Sequence, residues 1–340
     1  MSQKQNTKII VTGAAGYIGG TICIELKKQG YYVIGVDRRY QNHLKPYYDE
    51  FIFDDFVSAA SYYAIVEHLP KAVIHCAGTS LVGPSMTDPA EYYTNNVAKT
   101  ARYLKILKEH SFATKFIFSS SASVYGSPDA TFGVFEGTHI NPISPYGQSK
   151  LMTEQMLDWH SKAYGMDYVS FRYFNACGAV ANGVHGQEPD ATHIFARLFD
   201  AGMQGKPFHL NGTLFNTKDG TCIRDYVHVT DIAKAHILAI EDNVKGIYNI
   251  GSNKGYSNLE IFTMVEKFLL DNKFIDKEIV VMVEPAREGD PAKLVANYDK
   301  LYNETGWMPE LTIDDIIQDL SDWYRSDNYA KKRSLDAHPS

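Results

Sequence analysis

Short apolar runs rich in β-branched residues recur along the first half of the chain. KIIVTG (8–13), YYVIGVD (31–37), AVIHCAG (72–78), KFIFSSS (115–121) and DYVSFRYF (167–174) each read as a buried strand. Between them the apolar positions take helical spacing. Ile18, Ile22 and Leu26 step by four, and Gly30 ends that helix. Residues 91–108 and 149–164 repeat the helical pattern. Strands alternating with helices imply right-handed crossovers and a parallel sheet. The expected fold is α/β, a Rossmann-type doubly wound parallel sheet.

The rhythm breaks near Asn175. NACGAVANGVHGQEPDAT (175–192) reads as a long loop, 193–204 as a helix, and NGTLFNTKDGT (211–221) as turns. RDYVHVTDIAKAHILAI (224–240) and GIYNIGS (246–252) return to helix and strand. The expected organisation has a dinucleotide-binding domain over residues 1–178, which segments near 222–250 rejoin. Residues 179–340 form mainly a smaller, interleaved C-terminal substrate-binding domain.

Composition narrows the partners. The chain has 340 residues, 44% apolar and 21% charged, which is ordinary for a globular protein. Its net charge is −7, and no Lys/Arg block precedes the last dozen residues, so nucleic acid is not an expected partner. An anionic ligand must then be held by local arginines and backbone N–H groups. Cys23, Cys76, Cys177 and Cys222 form no CxxC, which argues against a zinc site or a disulfide framework, and no metal is expected. MSQKQNTK has no apolar signal core, and no apolar run approaches the roughly 18 residues that span a bilayer. A cytoplasmic protein without a membrane partner is the expectation.

VTGAAGYIGG sets Gly13, Gly16 and Gly19 in a GxxGxxG pattern between a predicted strand and a predicted helix. Glycines there let a backbone approach a pyrophosphate, and the helix start offers free N–H donors and a positive dipole end. Tyr17 and Ile18 lie inside the same loop. Asp37 ends the second strand, 18 residues past Gly19, where a carboxylate can accept from an adenosine ribose. That favours NAD, because Asp37 repels a 2′-phosphate, although Arg38 and Arg39 could pair one. As a bland alternative, Asp37 is only a strand-end turn residue.

SPYGQSK places Tyr146 and Lys150 four residues apart at a helix start. On a helix they face the same way. A cation beside a phenol favours the phenolate, so the pair can be a tuned proton acceptor. Tyr and Lys at this spacing are also common on exposed faces. FSSSASVYG (118–126) follows a strand whose carboxyl end should border the ligand crevice, so a hydroxyl there can reach a substrate oxygen.

Taken together, Gly13 to Gly19, Ser121, Tyr146 to Lys150, RYFNACGA (172–179), DGTCIRDYVHV (219–229) and AREGDPA (286–292) resemble the extended short-chain dehydrogenase/reductase family, and within it the nucleotide-sugar 4-epimerases. The resemblance runs from about Lys8 to Trp307, with the motifs in order. It implies that Tyr146 takes the proton of the sugar 4-OH, Lys150 lowers its pKa and holds the nicotinamide ribose, and Ser121 bridges Tyr146 to the sugar. NAD would accept the C4 hydride and return it to the other face of a 4-keto sugar. The implied substrates are UDP-glucose and UDP-galactose. A UDP-pentose, UDP-uronate or UDP-N-acetylhexosamine pair is the alternative.

The same resemblance implies further contacts. Arg224 and Arg287 would clamp the pyrophosphate, Asn175 the phosphate or sugar, and Asp290 the uridine ribose. Phe174 would pack near the nicotinamide. Asp55 and Phe56 would lie at the adenine, Cys76, Ala77 and Gly78 would line the cofactor, and Asn95 would touch it. His193 would reach the nucleotide, and Leu294 would flank the sugar's 2-substituent. Residues 91–108 and 149–164 would pair across a two-fold axis in a homodimer.

Two positions depart from the pattern. Ser80 stands where the family has a cofactor-contacting Lys, and Asn211 where it has an aromatic under the uracil. Two rivals are weaker. A 4,6-dehydratase needs an Asp–Glu pair where Ala122 and Ser123 stand. A non-catalytic NAD-binding regulator would not keep Ser121, Tyr146 and Lys150 together.

Overall fold

The computed structural model describes residues 3–110, 113–129, 133–189, 191–241, 244–287 and 290–336. Its first six strands are β1 (Lys8–Thr12), β2 (Tyr32–Asp37), β3 (Glu50–Phe53), β4 (Ala72–His75), β5 (Lys115–Ser121) and β6 (Tyr168–Tyr173). After these come β7 (Asn175–Cys177), β8 (Phe208–Asn211), β9 (Ile223–His228), β10 (Gly246–Ile250), β11 (Gly255–Ser257), β12 (Val281–Glu284) and β13 (Lys293–Leu294).

Seven strands form one sheet in the order β10-β6-β5-β4-β1-β2-β3, and every neighbouring pair is parallel. The doubly wound α/β fold expected from the sequence is present. The sequence reads as strands because both sheet faces are covered. Ile9 and Val11 of β1 join one core cluster, and Ile10 joins the other. In β5, Ile117 faces the first cluster while Phe116 and Phe118 face the second. A strand buried on both faces has no polar alternation, so it appears as a continuous apolar run.

β10 comes from the second half of the chain, yet it pairs with β6, Gly246 opposite Val169. The helix Val229–Glu241 before it packs on the helix Tyr17–Lys28. A separate core gathers Phe195, Leu198, Phe199, Ile261, Leu269, Ile316, Leu320 and Trp323. It lies over smaller sheets: β9 with β7, β11 and β13, and β8 with β12.

One reading needs correction. The segment after Asn175 is not all loop, because Asn175–Cys177 pairs in parallel with β9, Asn175 opposite Tyr226. Three residues are too few to show a period, so tertiary pairing alone makes this strand. Among the described residues no helix is long and apolar enough to cross a membrane, and no group of His, Cys, Asp or Glu is arranged to hold a metal.

Candidate active site

Strand order reverses between β1 and β4, and there a doubly wound sheet opens a crevice at its carboxyl edge. Gly13 leaves β1 at φ +71°, in the left-handed region. A Cβ on it would lie 2.7 Å from the Ala77 nitrogen, just past β4. A Cβ on Gly19 would strike the Gly13 carbonyl oxygen. Gly16 caps the helix Tyr17–Lys28, and no side chain caps its first turn. Asp37, at the tip of β2, accepts from Ala15 N–H at 3.0 Å and from Arg39 N–H at 2.9 Å. The tight turn, the uncapped helix start and the carboxylate at the next strand tip together fit a dinucleotide.

The other residues expected at the cofactor vary in exposure. The Tyr17 hydroxyl donates to Gly178 O at 2.7 Å, tying the glycine loop to the chain after β7. Ile18 packs against the core cluster that contains Ile22. Cys76 and Ala77 are half-buried, while Gly78 and Ser80 are exposed. Asp55 is engaged by Lys99 at 2.7 Å. Burial opposes its charge, but the Lys99 and Val57 hydrogen bonds outweigh that and hold its pKa below the usual value. Phe56 is buried and meets His75 edge-on at 4.8 Å.

The helix Pro145–Tyr164 carries the tyrosine–lysine pair. Ser144 starts it as the N-cap, accepting from Gly147 N–H at 3.1 Å, with Pro145 at the first helical position. That cap sets Tyr146 in the first turn and Lys150 one turn on, both buried. Lys150 Nζ donates to Ser119 O at 2.8 Å and lies 5.7 Å from the Tyr146 ring centre. Ser121 ends β5, and its hydroxyl meets Ser123 Oγ at 3.1 Å. The sequence therefore delivers Ser121, Tyr146 and Lys150 to one place.

Burial adds to the electrostatics expected of the pair. Burial raises the Tyr146 pKa, and hydrogen bonding with Ser121 only partly opposes it. Burial also lowers Lys150, to about 8, despite Cys76 and Glu154 nearby. Lys150 stands beside the phenol, but burial is the larger effect on that ring.

Asn95 and its neighbour behave differently. Asn95 donates to Thr79 Oγ1 at 3.1 Å from a half-buried site. Asn96, which the sequence reading passed over, is buried and clasps Thr79 through both backbone groups, at 2.8 and 3.0 Å. It also donates to Ser149 Oγ at 3.0 Å, joining the turn after β4 to the tyrosine helix. Both lie in a π-helical turn, Tyr93–Ala98. Such a turn shifts the helix faces by one residue, which spacing alone does not reveal.

Most of the residues expected to hold a nucleotide sugar lie around β9 and β13. Arg224 donates to Pro291 O at 2.7 Å and meets Asp290 at 3.4 Å. It does not pair with Asp225, which is buried and accepts from Ser252 and the backbone of Ala296. Arg287 is exposed and reaches Asn211 Oδ1 at 3.4 Å. Glu288, the neighbouring acid with which Arg287 could pair, lies outside the described residues. Arg197, another guanidinium missed from sequence, donates to His209 O at 2.8 Å. Burial, and then the nearby Arg287 charge, lower its pKa. Asn175 donates to Asp225 O at 2.9 Å. Phe174 is buried with Ala122, Val124 and Tyr125, and Leu294 packs on that cluster. Leu294 lies opposite Arg224 in the sheet register. His193 is exposed and is the N-cap of the helix Ile194–Gln204, its carbonyl accepting from Arg197 N–H at 3.0 Å while its ring caps nothing.

This constellation of dinucleotide loop, tyrosine–lysine helix and arginine cluster has a family. The chain belongs to the NAD dependent epimerase/dehydratase family, whose profile matches residues 9–251. It is similar to the UDP-glucose 4-epimerase of Halalkalibacterium halodurans, 36% identical over 329 residues, 93% of this chain and 95% of that one. The UDP-glucose 4-epimerase of Lactobacillus helveticus is likewise 36% identical over 332 residues, 94% of this chain and 97% of that one. The crystal structure of the Bifidobacterium longum UDP-glucose 4-epimerase, in complex with NAD⁺ and UDP, superposes with a TM-score of 0.85 at 35% identity, covering 94% of this chain and 99% of that one.

Proposed function

We propose that this protein is an NAD-dependent UDP-sugar 4-epimerase that interconverts UDP-glucose and UDP-galactose. The observation that carries the reading is the convergence of Tyr146, Lys150 and Ser121 at the carboxyl end of β5, beside the glycine loop. NAD⁺ and UDP in the Bifidobacterium longum enzyme support both ligands here.

Gly13, Gly16 and Gly19 would seat the pyrophosphate of NAD, and Asp37 its adenosine ribose. Bound there, NAD⁺ would supply the acceptor for the C4 hydride and, in its oxidised form, a positive charge at the site. Tyr146 takes the 4-OH proton and gives it back. Ser121 holds the sugar oxygen against Tyr146. Lys150 holds the nicotinamide ribose. The cofactor's positive charge would oppose the burial that raises the Tyr146 phenol pKa. Arg224 and Arg287 would hold the pyrophosphate of UDP, with Asn175 and Asp290 beside them. A dehydratase is disfavoured, since Ala122 and Ser123 after β5 supply no acid–base pair.

The test is direct. Purified protein given UDP-galactose and no added cofactor should produce UDP-glucose by NMR, and on denaturation should release NAD. Stoichiometric NADH formation that needs added NAD would identify a net dehydrogenase instead.

Leu294 is proposed to set the sugar range. A one-methylene change in a pocket is worth about 1–3 kcal/mol, or roughly ten- to two-hundredfold. Leu294→Tyr should suppress turnover of UDP-N-acetylgalactosamine and spare UDP-galactose, and Leu294→Ser should widen the range. The ratio of kcat/KM for the two substrates decides, and an unchanged ratio makes Leu294 a core residue of the Phe174 cluster.

We further propose a homodimer through the helices Lys99–His110 and Pro145–Tyr164. The exposed Trp159 (67%) on the second of these supports it, since a large aromatic in water favours a covered site. Light scattering at micromolar concentration should give twice the chain mass; a monomer there would refute it. All four thiols are free, which fits a reducing, cytoplasmic setting.

A further inference from the structure

Gly20 is the glycine of VTGAAGYIGG that the GxxGxxG pattern does not use. It sits inside the helix Tyr17–Lys28, where glycine is unfavourable, and its φ is not positive. Its reason is steric. A Cβ there would lie 2.6 Å from His185 Nε2 and 2.9 Å from Leu44 Cδ1. His185 comes from the long segment after β7 and is 1% exposed, so it has little room to move.

From that notch the imidazole reaches the first helical turn. His185 Nε2 lies 3.3 Å from Gly16 O and 3.1 Å from Tyr17 O. Carbonyls only accept, so Nε2 carries the proton and donates. A neutral ring then has Nδ1 free to accept, and His43 Nε2 lies 3.0 Å from it as donor. Burial keeps His185 neutral at pH 7, as this chain requires. The backbone on either side of His185 is fixed as well. Val180 N–H donates to His185 O at 2.7 Å, and Trp323 Nε1 donates to Gln187 O at 2.8 Å.

We propose that His185, seated in the notch left by Gly20 and oriented by His43, is a positioning residue for the dinucleotide. It latches the second half of the chain onto the turn whose free N–H groups would seat the pyrophosphate. Tyr17, through Gly178, makes a second tie beside it. The inference rests on NAD binding at the glycine loop.

A double-mutant cycle on the full-length protein tests it, with Kd for NAD and Tm measured for each variant. Gly20→Ala displaces His185, and His185→Ala removes the donor. Each should weaken NAD binding about tenfold, as expected for one lost buried hydrogen bond. The double variant should also lose about tenfold, because both changes break one latch. His185→Gln, which can keep an N–H near the Nε2 position, should stay within about threefold of wild type, and this holds the test open if the alanine variant does not fold. Additive losses, near a hundredfold in the double variant, would overturn the proposal. So would a lower Tm with unchanged Kd, which is what a purely structural role predicts. A wild-type protein that neither carries nor binds NAD would overturn the cofactor reading and this inference with it, whereas the other outcomes leave the cofactor reading standing.

Discussion

Tyr146→Phe should lower turnover of UDP-galactose by roughly a hundredfold or more while leaving the fold and the bound NAD in place. The substitution removes one oxygen from a buried ring. The ring can still lie edge-on to Tyr92, with centres 6.3 Å apart. Ser149 still donates to the residue-146 carbonyl, at 2.7 Å, since that contact is to the backbone. Neither the helix cap at Ser144 nor the Lys150 contact to Ser119 uses the phenol. The loss should therefore appear in kcat, with near-native Tm and NAD content. Ser121 and Lys150 cannot replace the base. The serine hydroxyl is a far weaker acid than the phenol, and the lysine ammonium has no lone pair until it loses its proton near pH 8. Turnover of the Phe variant near the wild-type rate would remove Tyr146 from the chemistry. The reading would then fall back to a protein that binds NAD without using this tyrosine.

How much of this could be read in advance depends on the range of the forces involved. Strands buried on both faces announce themselves, and β1, β2, β4, β5, β6 and β10 stood out as apolar runs. The tyrosine helix was also legible, because Ser144 and Pro145 are local start signals. Contacts between distant segments were not. Lys99 pairs with Asp55 across 44 residues, and no local pattern joins them. Gly20 has no part in the GxxGxxG pattern, and the residue that explains it, His185, lies far along the chain. Asn96 hid behind Asn95 because the π-helical turn moves the inward face by one position. Spacing did bring Tyr146 and Lys150 together, but it did not give the net shift of the phenol. Spacing carries no information on burial, and burial is the larger effect at that ring.

Glu154→Ala should lower stability by about 3–5 kcal/mol, the cost of leaving a buried charge without its partner. Glu154 lies one turn past Lys150 on the tyrosine helix and receives Arg172 in a fork, Nε at 3.0 Å and Nη2 at 2.7 Å. Both side chains are almost wholly buried, 1% and 2% exposed, so solvent screens the pair little. The charge is embedded in a wider network. Ser120 Oγ donates to Glu154, Arg172 Nη1 donates to the Tyr125 hydroxyl at 2.9 Å, and that hydroxyl donates to Asn249 at 2.8 Å. These bonds tie the tyrosine helix to β5, β6 and β10, so the alanine variant should show a Tm drop on the order of 10 °C. Exchanging the pair together, Glu154→Leu with Arg172→Leu, should recover much of the loss, because buried ion pairs contribute little net stability over apolar packing. The site should respond too. Glu154 raises the Lys150 pKa, so Glu154→Gln, which keeps the shape and removes the charge, should move Lys150 further below about 8. The alkaline fall in activity should then begin at lower pH, since the ammonium is lost as pH rises through that value. Matched thermal melts and pH–rate profiles of the three variants would check both parts. An unchanged Tm in Glu154→Ala would mean that Arg172 finds water or another acceptor, and an unchanged alkaline limb in Glu154→Gln would mean that the Lys150 charge does not govern turnover.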